Sequence, residues 1–219
     1  MNFDWSVVWH NAGALVEGTK LTVLLAVTTM AIAIPGGILL AVMRLSRVRV
    51  LAVASASFTE LFRNLPLILV IYTAYYVMPV ATGLSLSPVV TGIIALSLNV
   101  AAYNGETFRA GIASIRMGQS EAAYALGMTR WQTMRDVVLP QAVRRVLPVL
   151  ASTWVSLFKD TSLVSVISVA ELAYTSMRVR SQTFRVLEML TAMAAIYWML
   201  GYPQAKLVDW INRRYSVKE

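Results

Sequence analysis

Apolar residues occur along this chain in long uninterrupted blocks, and the breaks between blocks set the expected elements. From Leu21 to Val42 no charged residue appears. A helix of that length, rising about 1.5 Å per residue, is roughly 33 Å long and crosses a bilayer. The block has no basic run before it and no small-residue cleavage site after it, and it exceeds the length of a signal-peptide core, so it reads as a retained span. From Asn64 to Gly105 the chain is again uncharged. That is too long for one helix, and Pro79, Gly83 and Pro88 divide it. One span then runs from near Leu51 to near Pro79, and the next from about Ser87 to Tyr103. A fourth starts near Val146 and passes Lys159-Asp160 to about Val169. A fifth runs from about Leu187 to Leu207. The expected fold is an all-α membrane protein with five transmembrane helices in one domain, residues 1–219. Residues 1–19 carry Trp5 and Trp9 one helical turn apart and read as an interfacial segment before the first span.

Between the third and fourth spans the pattern changes. "EAAYALGMTRWQTMRDVVLPQA", Glu121 to Ala142, has charges at intervals and strong helix formers. Ser120 reads as an N-cap, and Gly127 as the end of a short helix. Thr129 reads as the cap of a second helix, which Leu139-Pro140 stops. The expectation is a polar helical hairpin inside a loop spanning residues 108–145.

Charge orients this arrangement. Five spans put the termini on opposite sides. Arg44, Arg47, Arg49, Arg109, Arg116, Arg130, Arg135, Arg144, Arg145, Lys206, Arg213, Arg214 and Lys218 fall on one side, and only Lys20, Arg178, Arg180 and Arg185 on the other. The rule that cytoplasmic loops carry the excess of Lys and Arg places the hairpin and Lys218 inside and Asn2 outside. The net charge of +8 then follows from topology and needs no nucleic-acid partner.

The candidate chemistry is sparse. There is no cysteine, and His10 is the single histidine, so no thiolate or histidine-rich metal site is expected. No nucleophile elbow or paired catalytic carboxylates stand out, and the chain does not read as an enzyme. It has no G-x-x-x-x-G-K-[ST] phosphate loop. Polar residues at membrane depth are the functional candidates. Arg63 follows Glu60 by three residues, so the two can pair on one helix face. Asn64 lies beside them. Asn99 and Tyr103 can face one cavity, and Ser152, Thr153 and Ser156 precede Lys159-Asp160. The serines and threonines can also simply bond back to helix carbonyls. A self-sufficient secondary transporter or channel is the competing reading, with Glu60, Glu106, Asp160 and Glu171 as its candidate coupling acids.

The Glu121-Ala122-Ala123, Gly127 and Leu139-Pro140 pattern resembles the "EAA…G…LP" signature of importer permeases of the ATP-binding-cassette (ABC) transporters. "ELFRNLPL" and "LFKDTSLVSVISVAEL" resemble the polar amino acid permease branch, with Asn64-Leu65 departing from the usual Gly-Thr. The resemblance implies a type I importer permease in the bacterial inner membrane. It also implies a second permease copy or paralogue, a cytoplasmic ATPase dimer that binds the ATP and magnesium, and an extracytoplasmic solute-binding protein. Glu121, Ala122, Ala123, Gly127, Arg130 and Arg135 would then belong to the coupling helices, which transmit force to the ATPase. The Lys-Asp-Thr-Ser-Leu stretch would line the path, with Asp160, Thr161 and Ser162 as gate or hinge residues. Many relatives for basic or neutral amino acids carry Asn-Glu where this chain has Ser152-Thr153. The missing acid, with "FDWS" and "LAVMRLS", points to a glutamate or aspartate permease; a permease for a neutral or basic amino acid is the alternative.

Overall fold

In a computed structural model of the chain, residues 3–215 are described, and every regular element among them is helical. Asn2 and Lys218, which the charge pattern places on opposite sides, lie outside the described residues. The elements are α1 (Ser6–His10), α2 (Ala12–Arg44), α3 (Arg49–Asn64), α4 (Leu67–Thr82), α5 (Pro88–Ala113), α6 (Met117–Ala125), α7 (Arg130–Gln132), α8 (Leu139–Asp160), α9 (Leu172–Thr183) and α10 (Val186–Tyr215).

The centre of the bundle is α2 against α5. Along α2 the buried positions are mostly small: Gly18, Thr22, Ala26, Thr29, Ala33, Gly37 and Ala41 recur every three or four residues. Small residues let helix backbones approach where lipid offers no hydrophobic drive for association. The approach is tight enough that a Cβ on Gly37 would lie 2.6 Å from Asn104 Cβ, and one on Gly105 would lie 2.9 Å from Leu40 Cβ. The opposite face of α2 exposes Val23, Leu24, Val27, Ile32, Ile38, Leu39 and Val42. Such a continuous apolar outer face belongs in hydrocarbon. A main core joins Leu25, Met30, Ile71, Leu96, Val100, Leu157, Val164 and Ile167. A smaller one joins Leu15, Leu172, Val179 and Met189, with Val7 and Val8 against it.

Two helices, α2 and α5, are long and apolar enough to cross a membrane alone, and α3 with α4 forms a third candidate bent by 107°. The helices expected as fourth and fifth spans are present as α8 and α10, of 22 and 30 residues, but fall below that apolarity. The first long helix begins at Ala12, so residues 12–19 of the expected interfacial segment continue straight into it. Trp9 in α1 is largely exposed, and His10 Nδ1–H donates to the Ser6 carbonyl, 2.7 Å away.

Several expected boundaries are corrected. The second span breaks at Leu65-Pro66, not at Pro79. Pro79 lies within α4, just after a π-helical stretch, Thr73–Val77. Pro140 likewise does not stop the second hairpin helix. The chain stays helical from Arg130 to Asp160, through a π-helical stretch at Thr133–Val138. The cause is the same at both sites. A proline ring clashes with the carbonyl four residues back and gives it no N–H. In a π turn that carbonyl bonds five residues ahead, so the helix passes through. At its far end α8 tightens into a 3-10 helix, Thr161–Ile167, instead of continuing to Val169, and Ser168 ends it with φ 63°. Residues 108–113 belong to α5 and the chain is continuously helical again from Arg130, so of the expected loop at 108–145 only residues 114–129 lie outside the long helices.

Candidate functional site

The hairpin forms from local rules. Helix α6 starts at Met117, so Ser120 sits inside it and is not its cap. At its end Gly127 takes φ 80°, Gly127 N–H donates to the Tyr124 carbonyl at 2.9 Å, and Met128 N–H donates to that of Ala123 at 3.1 Å. This is a Schellman ending, which requires a left-handed residue and favours glycine. Thr129 then caps α7 reciprocally: Gln132 N–H donates to Thr129 Oγ1 at 3.3 Å, and Thr129 N–H donates to Gln132 Oε1 at 2.8 Å. The corner is therefore stiff. Ala123 is buried, while Glu121, Ala122, Gly127, Arg130 and Arg135 are exposed. Arg135 lies 3.8 Å from Asp136. The pattern reading singled out the charges and passed over Leu126 and Trp131, which are 83% and 69% exposed at the tip. Their adjacency to the glycine corner was the available signal.

The bend between α3 and α4 sets the second site. Pro66 has no N–H for the Phe62 carbonyl, and the turn away at Leu65 removes the partner of the Arg63 carbonyl. Two side chains one turn apart on α5 replace them. Asn99 Nδ2 donates to Phe62 O at 2.8 Å, and Tyr103 Oη donates to Arg63 O at 3.2 Å. Asn64 Nδ2 donates to Glu60 O at 2.7 Å. The expected Glu60–Arg63 pair does not form. Glu60 lies 4.0 Å from Arg44 instead, and the Arg63 guanidinium stands 5.5 Å from the centre of the Tyr103 ring.

A cavity of about 520 Å³ opens beneath this bend. Asn99, Tyr103, Ser152, Thr153, Ser156 and Asp160 line it, with apolar walls from Leu65, Leu67, Val100, Val149 and Leu157. Six of the polar candidates thus converge. Ser152 and Thr153 donate their hydroxyls to the Pro148 and Val149 carbonyls, at 3.1 and 3.0 Å, so in this conformation they offer the cavity lone pairs. Thr161 and Ser162 donate to the Phe158 and Lys159 carbonyls where the helix tightens. Lys159 does not join the cavity. It lines a separate groove of about 710 Å³ with Ser162, Met177, Tyr197, Trp198 and Tyr202. Arg63 lies on the far side of Tyr103, in a neighbouring chamber. The chemistry available is recognition: a carboxylate, an amide, hydroxyls and apolar walls.

Two other acids, Glu106 and Glu171, are engaged. Glu106 is held by Arg109 through two contacts, one of 2.9 Å. Glu171 is fully buried and caps α9, accepting from Ala173 N at 2.8 Å and Tyr174 N at 2.7 Å, and its carboxylate also receives Tyr197 Oη at 3.0 Å and Thr22 Oγ1 at 3.3 Å.

Residues 33–217 match the family of binding-protein-dependent transport system inner membrane components. The glutamate/aspartate import permease protein GltK of Escherichia coli O6:H1 is 37% identical over 97% of this chain and 98% of its own length. The glutamine transport system permease protein GlnP of Escherichia coli K12 is 33% identical over 99% of this chain and all of its own. A crystal structure of an amino acid ABC transporter with histidines superposes with a TM-score of 0.92 at 30% identity, covering 98% of this chain and 100% of that one. The fold is that of a type I ABC importer permease. The chain belongs to the binding-protein-dependent transport system inner membrane components, as the membrane permease component of an ABC amino acid importer in which a separate ATPase hydrolyses ATP.

Proposed function

We propose that this permease forms the translocation path for an acidic amino acid, glutamate or aspartate, in a bacterial inner membrane. The observation that carries the reading is the mixed lining of the 520 Å³ cavity at the broken helix. An amino acid needs an acceptor for its ammonium and donors for its carboxylates. Asp160 supplies the acceptor. The Ser156 hydroxyl and the second amide hydrogen of Asn99 supply donors. The similarity to GltK supports the same solute class. One observation favours a neutral amide solute instead: Ser152 and Thr153 spend their donors on the backbone, and GlnP is also similar across the whole chain.

In this reading α3–α4, α8 and α10 complete five spans, with the N-terminus outside and the hairpin inside. The stiff corner docks on a cytoplasmic ATPase dimer that binds ATP and magnesium. A second permease, identical or paralogous, closes the path, since polar routes are commonly built between repeated units. An extracytoplasmic solute-binding protein delivers the solute. The test is purification of the intact complex, identification of its subunits, and uptake of glutamate, aspartate and glutamine in cells dependent on it. Glutamate or aspartate uptake is expected to dominate; uptake of glutamine alone would replace the acidic assignment. Labelling of Ser120→Cys by an impermeant reagent applied outside sealed cells would overturn the orientation.

A further inference from the structure

Next to the 520 Å³ cavity, on the hairpin side, lies a second chamber of about 440 Å³. The two share Tyr103 and Val149 as lining, so one layer of side chains separates them. Tyr103 is tethered twice at this partition: its hydroxyl donates to the Arg63 carbonyl, and its ring lies under the Arg63 guanidinium. Displacing Tyr103 takes its donor from the Arg63 carbonyl, so both tethers break together and reform behind the solute, through a rotamer change of a side chain that is 43% exposed.

The charges of the second chamber are unequal. Arg63, Glu106 and Arg145 line it. Glu106 is already neutralised by Arg109. Arg63 forms no ion pair among the described residues. Arg145 donates one guanidinium hydrogen bond to the Ser114 carbonyl at 2.8 Å, which leaves its other donors available. The walls between these groups are Ala110, Val146 and Val149, and Gly111 permits the close fit, since a Cβ there would lie 2.2 Å from Val146 Cγ2. Two guanidinium groups in a partly apolar chamber, with their nearby acid already paired, select a planar anion that accepts two parallel hydrogen bonds.

Resting on the importer reading above, we propose that this chamber is a second, exit-side solute site, where Arg63 and Arg145 hold the carboxylate of an amino acid, and that Tyr103 is the partition the solute passes. The α-carboxylate is common to every amino acid, so the site serves an acidic and a neutral solute alike. Transport runs from the Asp160 cavity, where the ammonium is held, past the displaced Tyr103 to the two arginines. The solute therefore turns from an acid-marked seat to a base-marked one, and the second seat draws the carboxylate toward the hairpin end.

The test uses the intact importer in cells that depend on it, with radiolabelled glutamate and glutamine as probes and permease levels checked by membrane blot. The Arg63→Gln/Arg145→Gln double variant is expected to lower kcat for uptake of the transported solute about tenfold with KM within about twofold, because the lost site acts after loading. The Arg63→Lys/Arg145→Lys variant, which keeps the charge but not the planar fork, is expected to recover part of the rate, at least about twofold over the glutamine variant. An unchanged kcat overturns the proposal. So does a rise in KM at constant kcat, which would place the arginines at entry, or a fall in kcat that lysine does not restore, which would mark a structural role. Should the double glutamine variant be absent from the membrane, Arg145→Gln alone is measured against the same criteria. A wild type that imports no amino acid sinks the importer reading and this site with it, whereas a working wild type with unaffected variants sinks the site alone.

Discussion

Asn99 Nδ2 donates to the Phe62 carbonyl across 2.8 Å, joining α5 to α3 at the point where Pro66 withholds the N–H that would otherwise have met that carbonyl. A buried acceptor left without a donor costs about 1–3 kcal/mol. Asn99→Leu keeps the volume and removes the donor. It is expected to destabilise the purified permease complex by about that amount, read as a lower midpoint of thermal unfolding. Pro66→Ala in the same background returns an N–H to the carbonyl and should recover part of the loss. An Asn99→Leu midpoint equal to wild type would mean that Asn99 does not support the bend.

The hairpin makes a different prediction, because its exposed tip is apolar while its corner is held by backbone bonds. Trp131→Ala removes a large exposed ring without touching the Thr129–Gln132 cap. If the tip seats in a groove of the ATPase, this variant loses a central contact of the kind that costs about 2 kcal/mol or more. Recovery of the ATPase with the permease should then fall by at least about tenfold at limiting concentration. Gly127→Ala is expected to matter less for docking and more for the corner, where φ 80° costs a β-carbon roughly 1–2 kcal/mol. Undiminished ATPase recovery with Trp131→Ala would move the docking surface elsewhere on the chain.

Glu171 reads as a structural acid and not as a coupling acid. A coupling acid must change protonation, and its amide then abolishes uptake. Here the carboxylate is buried as the cap of α9 and is met by donors from three helices, counting Thr22 on α2 and Tyr197 on α10. Glu171→Gln retains one acceptor oxygen for the cap, so uptake is expected to stay above about a third of wild type with modest loss of stability, of the order of 1 kcal/mol. Glu171→Leu leaves buried N–H groups unpaired and should remove folded permease from the membrane. Complete loss of uptake in a stably inserted Glu171→Gln protein would mean that the carboxylate does more than cap α9.

Features decided within one turn of chain were legible in the residues. Gly127 and Thr129 announced the corner and the cap, because a left-handed C-terminus and a side-chain N-cap depend on their own neighbours. The long apolar block announced α2 for the same reason. Where a remote partner decides, the residues were silent. Of the prolines at 66, 79 and 140, only Pro66 breaks its helix, since Asn99 and Tyr103, 37 and 40 residues from their carbonyls, satisfy what the break exposes. Pro79 and Pro140 are absorbed by π turns, which no local composition marks. The cavity was half legible: the polar positions of α5 and α8 were visible as costly residues at membrane depth, and Lys159 and Asp160, as neighbours on one helix, had to face apart, but which groove each meets follows from α8 packing between α5 and α10.

Thr153 gives the sharpest test of solute choice. It lines the cavity with Asp160, the acid that can receive the solute ammonium. One acid beside one ammonium is balanced for an amino acid whose other groups are anionic. A second acid at position 153 shifts that balance. Two like charges about 4 Å apart cost roughly 4 kcal/mol at an effective dielectric of about 20. A solute with a side-chain carboxylate meets that repulsion, a neutral amide does not, and a cationic side chain is attracted. Thr153→Glu is therefore expected to depress glutamate and aspartate uptake by at least about tenfold, with glutamine affected less and ATPase activity without solute retained. Threonine 153 also bonds its own helix through the Val149 carbonyl, so Thr153→Val serves as the control for loss of that bond. If Thr153→Val is as impaired as Thr153→Glu, the effect is structural. If Thr153→Glu takes up glutamate as fast as wild type while present at full level, the side chain at 153 does not face the solute, and the acidic assignment loses its main support within the cavity.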